Sequence, residues 1–238
     1  MKYFKQTKIK EPVIDDYRHA EVFRKYQIDF STRGDRTFEE VSEENHLLLS
    51  NLLEEINQVS DSLSGEADDY NEWKLDVLSD YIVSTHHQYS ERQSLKIKKD
   101  LENLSTAIKK DFPETEKIKT LFQLISGEMA AHMKKEEIIL FPFIKKLVQA
   151  QAENTKIQSA ISRVENPINM MIHDHSDQID AFKEINLLSN HYSSGENELS
   201  SIYQNLKELE EDLIKHIHLE NNILFPKALI LAKEYSNS

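Results

Sequence analysis

The chain has 238 residues, of which 42 are acidic and 29 are basic, so its net charge is −13. This charge repels phosphate backbones and anionic lipid surfaces, which argues against nucleic acid and membranes as partners. The absence of cysteine excludes disulfides, thiolate metal ligands and cysteine-bound iron–sulfur clusters within the chain. There is no signal-peptide core and no run of about 20 apolar residues, so we expect a cytoplasmic protein.

Glycine and proline are scarce, at 4 and 5 residues, and long runs rich in Leu, Ile, Glu and Lys predict an all-α fold. We expect residues 1–58 to form a small helical N-terminal domain, because they carry helical patterns too short to fold without each other. These patterns lie around Val22, Phe23 and Tyr26, from Phe38 to Val41 and from Leu47 to Ile56. Thr37 and Glu40 have the spacing of a capping box, which predicts a helix start.

An acidic linker is expected at residues 59–72, since Ser60 to Asp69 is polar and nearly devoid of large apolar side chains. Residues 73–238 carry four long amphipathic segments with brief connections, which predict an antiparallel four-helix bundle. These segments lie at about 73–110, 114–149, 167–192 and 197–233.

Three sequence signals predict where the bundle helices begin and end. Pro113 and Pro167 suit the first positions of helices, and Asn166 precedes the second proline as an N-cap. The dipeptide Ser194-Gly195 suits a break between the last two helices.

A His-x3-Glu motif occurs twice, at His132 and Glu136 and again at His216 and Glu220, and Ile-Leu-Phe-Pro follows both copies. On an α-helix this spacing puts imidazole and carboxylate on one face, within reach of one metal ion. Both pairs are in phase with the apolar stripe of their helix, so we expect them to face the core. The stripes comprise Leu121, Ile125, Met129, Ile139 and Phe143 in the second helix and Leu209, Leu213, Ile223 and Leu224 in the fourth. We expect the Phe of each copy to cap the core and the Pro to kink or end the helix.

The other two segments offer further histidines. In the third segment His175 lies on the apolar stripe, whereas His173 shares a polar face with Asp177 and is predicted to form a solvated surface pair. The first segment has adjacent His86 and His87, which point about 100° apart and cannot enter one site equivalently. The stripe residues that favour His86 are Leu75, Leu78, Ile82 and Tyr89, and Val83 leads toward His87. Periodicity leaves that choice open.

Burying two carboxylates costs several kcal/mol each unless their charge is neutralised. No Arg or Lys lies on the same stripes, so a bound metal is the expected compensation. If both glutamates bridge, four imidazoles and two carboxylates give each of two metals two nitrogens and two oxygens, and an oxo or hydroxo bridge leaves one position open. This donor set predicts two iron ions per chain rather than tetrahedral zinc, with manganese as the alternative.

These residues resemble the Repair of Iron Centres family, whose members join a small N-terminal domain to a hemerythrin-like four-helix di-iron domain. The segments that carry the resemblance are Phe23 to Phe30, Arg36 to Glu40, Ile82 to His86, His132 to Glu136, His175 and His216 to Pro226. The resemblance implies a hemerythrin-like bundle at residues 73–238. Its implied metal ligands are His86, His132, Glu136, His175, His216 and Glu220, with His87 second to His86. Asp174 and Glu128 are candidates for acids around the ligand histidines.

The sequence departs from this family after Phe30, where family members typically carry two adjacent cysteines followed by glycines. This chain has Ser31, Thr32, Arg33 and Gly34 there. A hydroxyl cannot supply thiolate ligation or disulfide exchange at neutral pH, so any step that depends on those thiols is absent. The N-terminal domain remains available to dock a partner or to support a homodimer.

The resemblance implies a protein that repairs or protects iron–sulfur proteins after nitric oxide or peroxide damage, with the di-iron centre as an iron source. Two alternatives use the same centre. One is an enzyme that reduces nitric oxide, in which two ferrous ions would each bind one molecule. The other is a hemerythrin-like carrier or sensor that binds dioxygen or nitric oxide reversibly.

Overall fold

The computed structural model of the protein describes residues 2–62, 69–193 and 198–237. The described residues are largely helical, and the all-α prediction is confirmed. Two short strands, Ile157–Gln158 and Ser236–Asn237, pair in parallel. The predicted break at Ser194-Gly195 lies outside the described residues. The chain divides into two compact units, which are Met1–Lys74 with Ile217–Pro226, and Leu75–His216 with Lys227–Ser238.

The first unit contains four short helices around an aromatic core. Helices α1 to α4 span Lys10–Asp15, Ala20–Lys25, Phe38–Glu44 and Leu49–Ser62, with a 3₁₀ turn at Tyr17–His19. The buried ring of Phe23 contacts Phe30 and Phe38, with centroids 5.8 Å away in both pairs. The predicted capping box is confirmed. The Glu40 N–H donates to Thr37 Oγ1 at 3.2 Å, and the Thr37 N–H donates to Glu40 Oε2 at 2.7 Å.

The expected linker, residues 59–72, is described only in part. Its first four residues complete helix α4, which ends at Ser62. Tyr70–Glu72 form a 3₁₀ turn, and the buried Tyr70 ring lies 5.1 Å from that of Trp73. Residues 63–68 lie outside the part that the structure describes. The described parts of the expected linker are therefore largely helical.

The long helices of the bundle are interrupted by π-helical turns. The first runs through α5 Leu75–Tyr81, a π turn at Ile82–His87 and α6 Gln88–Glu102, and a short α7 spans Thr106–Asp111. The second runs through α8 Glu114–Lys135, a π turn at Glu136–Leu140 and α9 Phe141–Glu153. The third is α10 Ala160–Leu188, and the fourth runs through α11 Glu198–Leu219, a π turn at Glu220–Leu224 and α12 Phe225–Glu234.

The first and fourth bundle helices are antiparallel, as predicted. His86 pairs with Asp212 at 2.9 Å, and Lys96 pairs with Asn205 at 3.0 Å. Residue numbers therefore rise along one helix as they fall along the other.

The prediction that Pro167 starts the third helix is wrong, because helix α10 begins at Ala160 and the proline lies inside it. An internal proline removes one hydrogen bond and costs about 3 kcal/mol. The apolar positions Ala160, Val164, Ile168 and Met171 continue through the proline and are all buried. Packing of this apolar stripe compensates for the cost of the internal proline. Helix propensities alone do not include this packing.

The π turn after Glu136 changes which residues of the second helix face the core. The sequence predicts Ile139 and Phe143 inward, but Ile139 is 60% exposed and Phe143 is only half-buried. The stripe continues instead through Leu140, Phe141 and Ile144, which are all buried. The reason is that the Phe141 N–H bonds to the carbonyl of Glu136, five residues back, so the turn holds an additional residue.

Each of the two Leu-Phe-Pro sequences begins at the last residue of a π turn. Phe141 and Phe225 are buried, as expected. Pro142 and Pro226 do not end their helices, since α9 continues to Glu153 and α12 to Glu234. Each proline is the second residue after a π turn, where the wide turn has already altered the regular α-helical hydrogen bonding.

A partly buried carboxylate, Glu210, joins the fourth helix to the turn that follows α10. The Tyr192 hydroxyl donates to Glu210 Oε2 at 2.9 Å. The backbone of Asn190, His191 and Tyr192 is left-handed, with φ of 47°, 58° and 61°, so this hydrogen bond helps to hold a strained turn. Burial raises the pKa of Glu210 to about 7, although hydrogen bonds from Tyr192 and Asn186 favour the ionised form.

Replacing Glu210 with glutamine should stabilise the protein at alkaline pH only. The folded-state pKa lies above the ordinary 4.5, so stability is complete below pH 4.5 and is lost as the pH rises through about 7. The loss is on the order of 3 kcal/mol, and E210Q, which keeps the acceptor for Tyr192, should avoid it. Urea unfolding at pH 5 and pH 8.5 measures the difference. The exposed Glu208→Gln is the control, and an equal gain at both pH values would contradict the prediction.

Candidate metal centre

The π turns coincide with the candidate ligands. Glu136 and Glu220 are the first residues of the second and third π turns, and His87 is the last residue of the first. π-Helical turns are rare and occur frequently at functional sites. Their position here indicates that helix geometry is adapted to the site.

Buried histidines and glutamates form two groups that share both carboxylates. The first group is His87, Glu136, His216 and Glu220, and the second is His132, Glu136, His175 and Glu220. The ligand atoms of each group lie within 4.8 Å of one another, and all six residues are buried. Each group offers two nitrogens and two carboxylate oxygens to one cation.

Glu136 lies between the two groups. Its Oε1 is 3.2 Å from His132 Nε2, and its Oε2 is 3.5 Å from His87 Nε2. Each carboxylate oxygen therefore faces the imidazole of a different group. His87 Nε2 also lies 3.2 Å from His216 Nε2, and the His132 and His175 ring centroids are 4.6 Å apart. Glu220, one turn after His216 on the same helix, belongs to both groups.

The surroundings of Glu136 test whether a cation fits. This carboxylate is fully buried, and neither oxygen has a hydrogen-bond partner within the described residues. An uncompensated buried carboxylate costs several kcal/mol, and a bound metal removes that cost. Nitrogen and oxygen donors without thiolate, shared between two neighbouring groups, suit iron or manganese. The residues present therefore fit a pair of such metals.

Carboxylates outside the groups hold two of the imidazoles. Asp174 Oδ2 lies 3.2 Å from His132 Nδ1, and Glu137 Oε1 lies 3.0 Å from His87 Nδ1. An Nδ1–H that donates to a carboxylate leaves Nε2 available to a metal. Asp174 was predicted for this place, whereas Glu128, the other predicted acid, is exposed.

Glu137 was not singled out from the sequence, because its neighbour Glu136 already occupied the inward position. Burial alone would raise the pKa of Glu137, but hydrogen bonds from Lys134 and His87 bring it below its ordinary value. Lys134 Nζ lies 2.7 Å from Glu137 Oε2. Its one sequence signal was its position directly after the motif of His132 and Glu136.

The structure brings His87 into the cluster and leaves His86 outside both groups. Periodicity left the choice between the two open, and the family resemblance favoured His86. In the π turn the Gln88 N–H bonds to the Val83 carbonyl, five residues back. The residue five positions after Ile82, which is His87, consequently continues the inward stripe. His86 is also buried, but its Nδ1 lies 2.9 Å from Asp212 Oδ1.

His173 lies on the surface, as the sequence predicts. Its side chain is 78% exposed, and its Nε2 lies 3.7 Å from Asp177 Oδ2. The remaining predicted ligands, His132, Glu136, His175, His216 and Glu220, all lie in the cluster.

Comparisons with known proteins agree with this geometry. The family described as Hemerythrin HHE cation binding domain matches residues 78–228, and the domain of unknown function DUF542, ScdA_N, matches residues 5–60. The chain belongs to the hemerythrin HHE cation-binding family. Among the described residues, no helix is both long and apolar enough to cross a membrane.

Several curated relatives align along nearly their whole length. The iron-sulfur cluster repair protein YtfE of Edwardsiella ictaluri is 28% identical over 232 residues, which are 95% of this chain and 98% of the relative. The protein of the same name from Dickeya chrysanthemi is 27% identical over 236 residues, with the same coverage. The probable iron-sulfur cluster repair protein of Haemophilus influenzae is 28% identical over 235 residues, again with the same coverage. The resemblance inferred from the sequence is confirmed.

Glu136→Gln should stabilise the metal-free protein, because glutamine fills the same space without a buried charge. We expect a gain of about 2 kcal/mol in the free energy of unfolding at pH 8. Thermal or urea unfolding of the metal-free proteins measures it. The exposed Asp177→Asn is the matched control and should change stability by less than about 0.5 kcal/mol. A destabilised metal-free E136Q would show that Glu136 is already compensated without metal.

Proposed function

We propose that this protein is an iron–sulfur cluster repair protein that holds two iron ions per chain. The observation that carries the proposal is the pair of buried groups that share Glu136 and Glu220. The proposed ligands of one iron are His87, His216 and the two glutamates, and those of the other are His132, His175 and the same glutamates. The pair of iron ions, when bound, would supply ferrous iron or electrons for restoring damaged clusters.

The protein's own residues favour such a centre in three ways. The buried glutamates supply negative charge that compensates the metal charge. The π turns after Glu136 and Glu220 let these glutamates face the cluster while Phe141 and Phe225, just beyond the turns, are buried. Asp174 and Glu137 hold two imidazoles with Nδ1 turned outward. Together these features explain why the site residues are buried.

The relatives' names support cluster repair as the role, and damaged iron–sulfur proteins as the partners.

The N-terminal loop of this chain lacks the groups that a thiol-dependent mechanism needs. Ser31 Oγ donates to Asp29 Oδ1 at 3.1 Å, and the Thr32 hydroxyl donates to the other Asp29 oxygen. The hydroxyl pair therefore stabilises a turn, and repair by this protein depends on the metal centre rather than on this loop as a redox pair.

Metal content tests the proposed ligand set directly. The wild-type protein should bind about two irons per chain, whereas H87A and E136A should bind fewer because each loses a ligand. H86A is the matched control for H87A, since it removes the neighbouring buried imidazole, and it should keep two irons. Iron analysis and Mössbauer spectra after loading with ⁵⁷Fe²⁺ measure both. Loss of iron in H86A but not in H87A would reassign the ligand to His86.

Repair activity is tested with a [4Fe–4S] protein damaged by nitric oxide. The iron-loaded protein should restore the cluster absorbance and activity of the target faster than the same amount of free Fe²⁺. The E136A variant should do no better than free iron, because it cannot hold the complete centre. Equal recovery with wild-type protein, E136A and free iron would reject the repair function while leaving the metal assignment intact.

A further inference from the structure

The π turn that begins at Glu136 is held by the helix bundle. Glu137, one residue later, places its Oε1 3.0 Å from Nδ1 of His87, which lies in the first bundle helix. Ile138, two residues after the glutamate, is 70% exposed. The side chain at this second position therefore faces solvent.

The π turn that begins at Glu220 is held by the N-terminal loop, residues 29–34. The side-chain amide of Asn221 donates to the Ser31 carbonyl at 3.2 Å, and that of Asn222 donates to the Phe30 carbonyl at 3.1 Å. These two residues have the same spacing from Glu220 as the corresponding pair has from the first glutamate. Different parts of the chain therefore hold the two turns.

Asn222 uses both hydrogens of its amide group. One is donated to the Phe30 carbonyl, and the other is donated to Nδ1 of His218, 3.0 Å away and one helical turn earlier. The ring of His218 is buried and packs against the ring of Phe30, with centroids 5.6 Å apart. Asn222 therefore joins the loop to its own helix through two directed contacts.

Gly34 gives the loop the space that this contact needs. A Cβ atom at position 34 would lie 2.5 Å from the Phe30 carbonyl oxygen and 3.2 Å from Asn222 Oδ1. Glycine is the residue that permits so close an approach of backbone to its neighbours. The loop and the amide of Asn222 therefore fit closely against each other.

We propose that Asn222 is a positioning residue for the metal centre, through which the N-terminal loop holds Glu220 in place. Glu220 begins the turn that Asn222 fixes, and its carboxylate belongs to both ligand groups. A ligand that is already held in position loses less conformational freedom when it binds a metal. The loop therefore slows the loss of iron without any need for thiols. The inference rests on the proposed function, since it requires iron at these residues.

The test compares iron retention in proteins that share one ligand set. N222L keeps the approximate size of the side chain and removes both donated hydrogens. It should still bind two irons per chain at saturation. It should lose Fe²⁺ to excess ferrozine at least about fivefold faster than the wild type, because two hydrogen bonds that hold the turn are missing. Its Mössbauer lines after loading with ⁵⁷Fe²⁺ should be broader, since Glu220 then occupies more than one position.

N57L and I138A are the matched controls. Asn57 is also buried in the first unit, but its amide donates to the carbonyls of Tyr3 and Leu53, outside both the loop and the turn. N57L therefore makes the same substitution without touching the proposed contact, and urea unfolding of the metal-free proteins shows how much each change destabilises the fold. I138A removes the side chain two residues after Glu136. Both controls should keep the wild-type release rate and narrow Mössbauer lines.

The outcomes separate this role from the metal assignment. Wild-type release from N222L would overturn the positioning role and leave the metal centre standing. Equally fast release from N57L would also overturn it, since general loss of stability would then explain the effect. Equally fast release from I138A would show that any change at this spacing loosens the site. A wild-type protein that binds no iron would overturn the proposed function itself.

Discussion

The bundle depends on the burial of glutamate carboxylates in its core. Glu136 and Glu220 are fully buried, and a charge in such a place must be compensated or the fold loses several kcal/mol. Imidazoles surround Glu136, with His132 and His87 nitrogens within 3.5 Å of its oxygens. The proposed pair of metal ions would compensate the charge of both glutamates. The same residues that would destabilise an apolar core are therefore the ones that make this core a binding site.

The three π turns adapt a regular helix to that requirement. In a regular α-helix, every third or fourth residue faces inward. With that repeat alone, the ligands and the apolar residues that follow them could not all face inward. One additional residue in the turn lets Glu136 face the cluster and Phe141 face the core. The same device in the first helix directs His87 into the cluster. The local helix geometry therefore determines which residues face the proposed metal site.

The first unit is organised around the segment that carries Glu220. The His218 ring packs against Tyr17 and Phe30, with centroids 5.7 Å and 5.6 Å away. The side-chain amides of Asn221 and Asn222 donate to the carbonyls of Ser31 and Phe30 at 3.2 Å and 3.1 Å. The loop with hydroxyls in place of the family's cysteines therefore contacts residues immediately after a proposed ligand. Its backbone contacts do not require thiols, which explains how the fold accommodates the replacement.

The sequence alone determined the all-α fold, the capping box at Thr37 and the inward direction of His132, Glu136, His216 and Glu220. These features follow from composition and from local periodicity, which short-range physics controls. Only the tertiary structure brought His87 into the buried cluster, showed that Pro167 lies within a helix, and identified Glu137 as a partner of a proposed ligand. Each of these depends on packing between helices, which determines where a π turn forms and whether a proline is tolerated. The residue spacing of an ideal helix predicts neither the position of a π turn nor the tolerance of a proline.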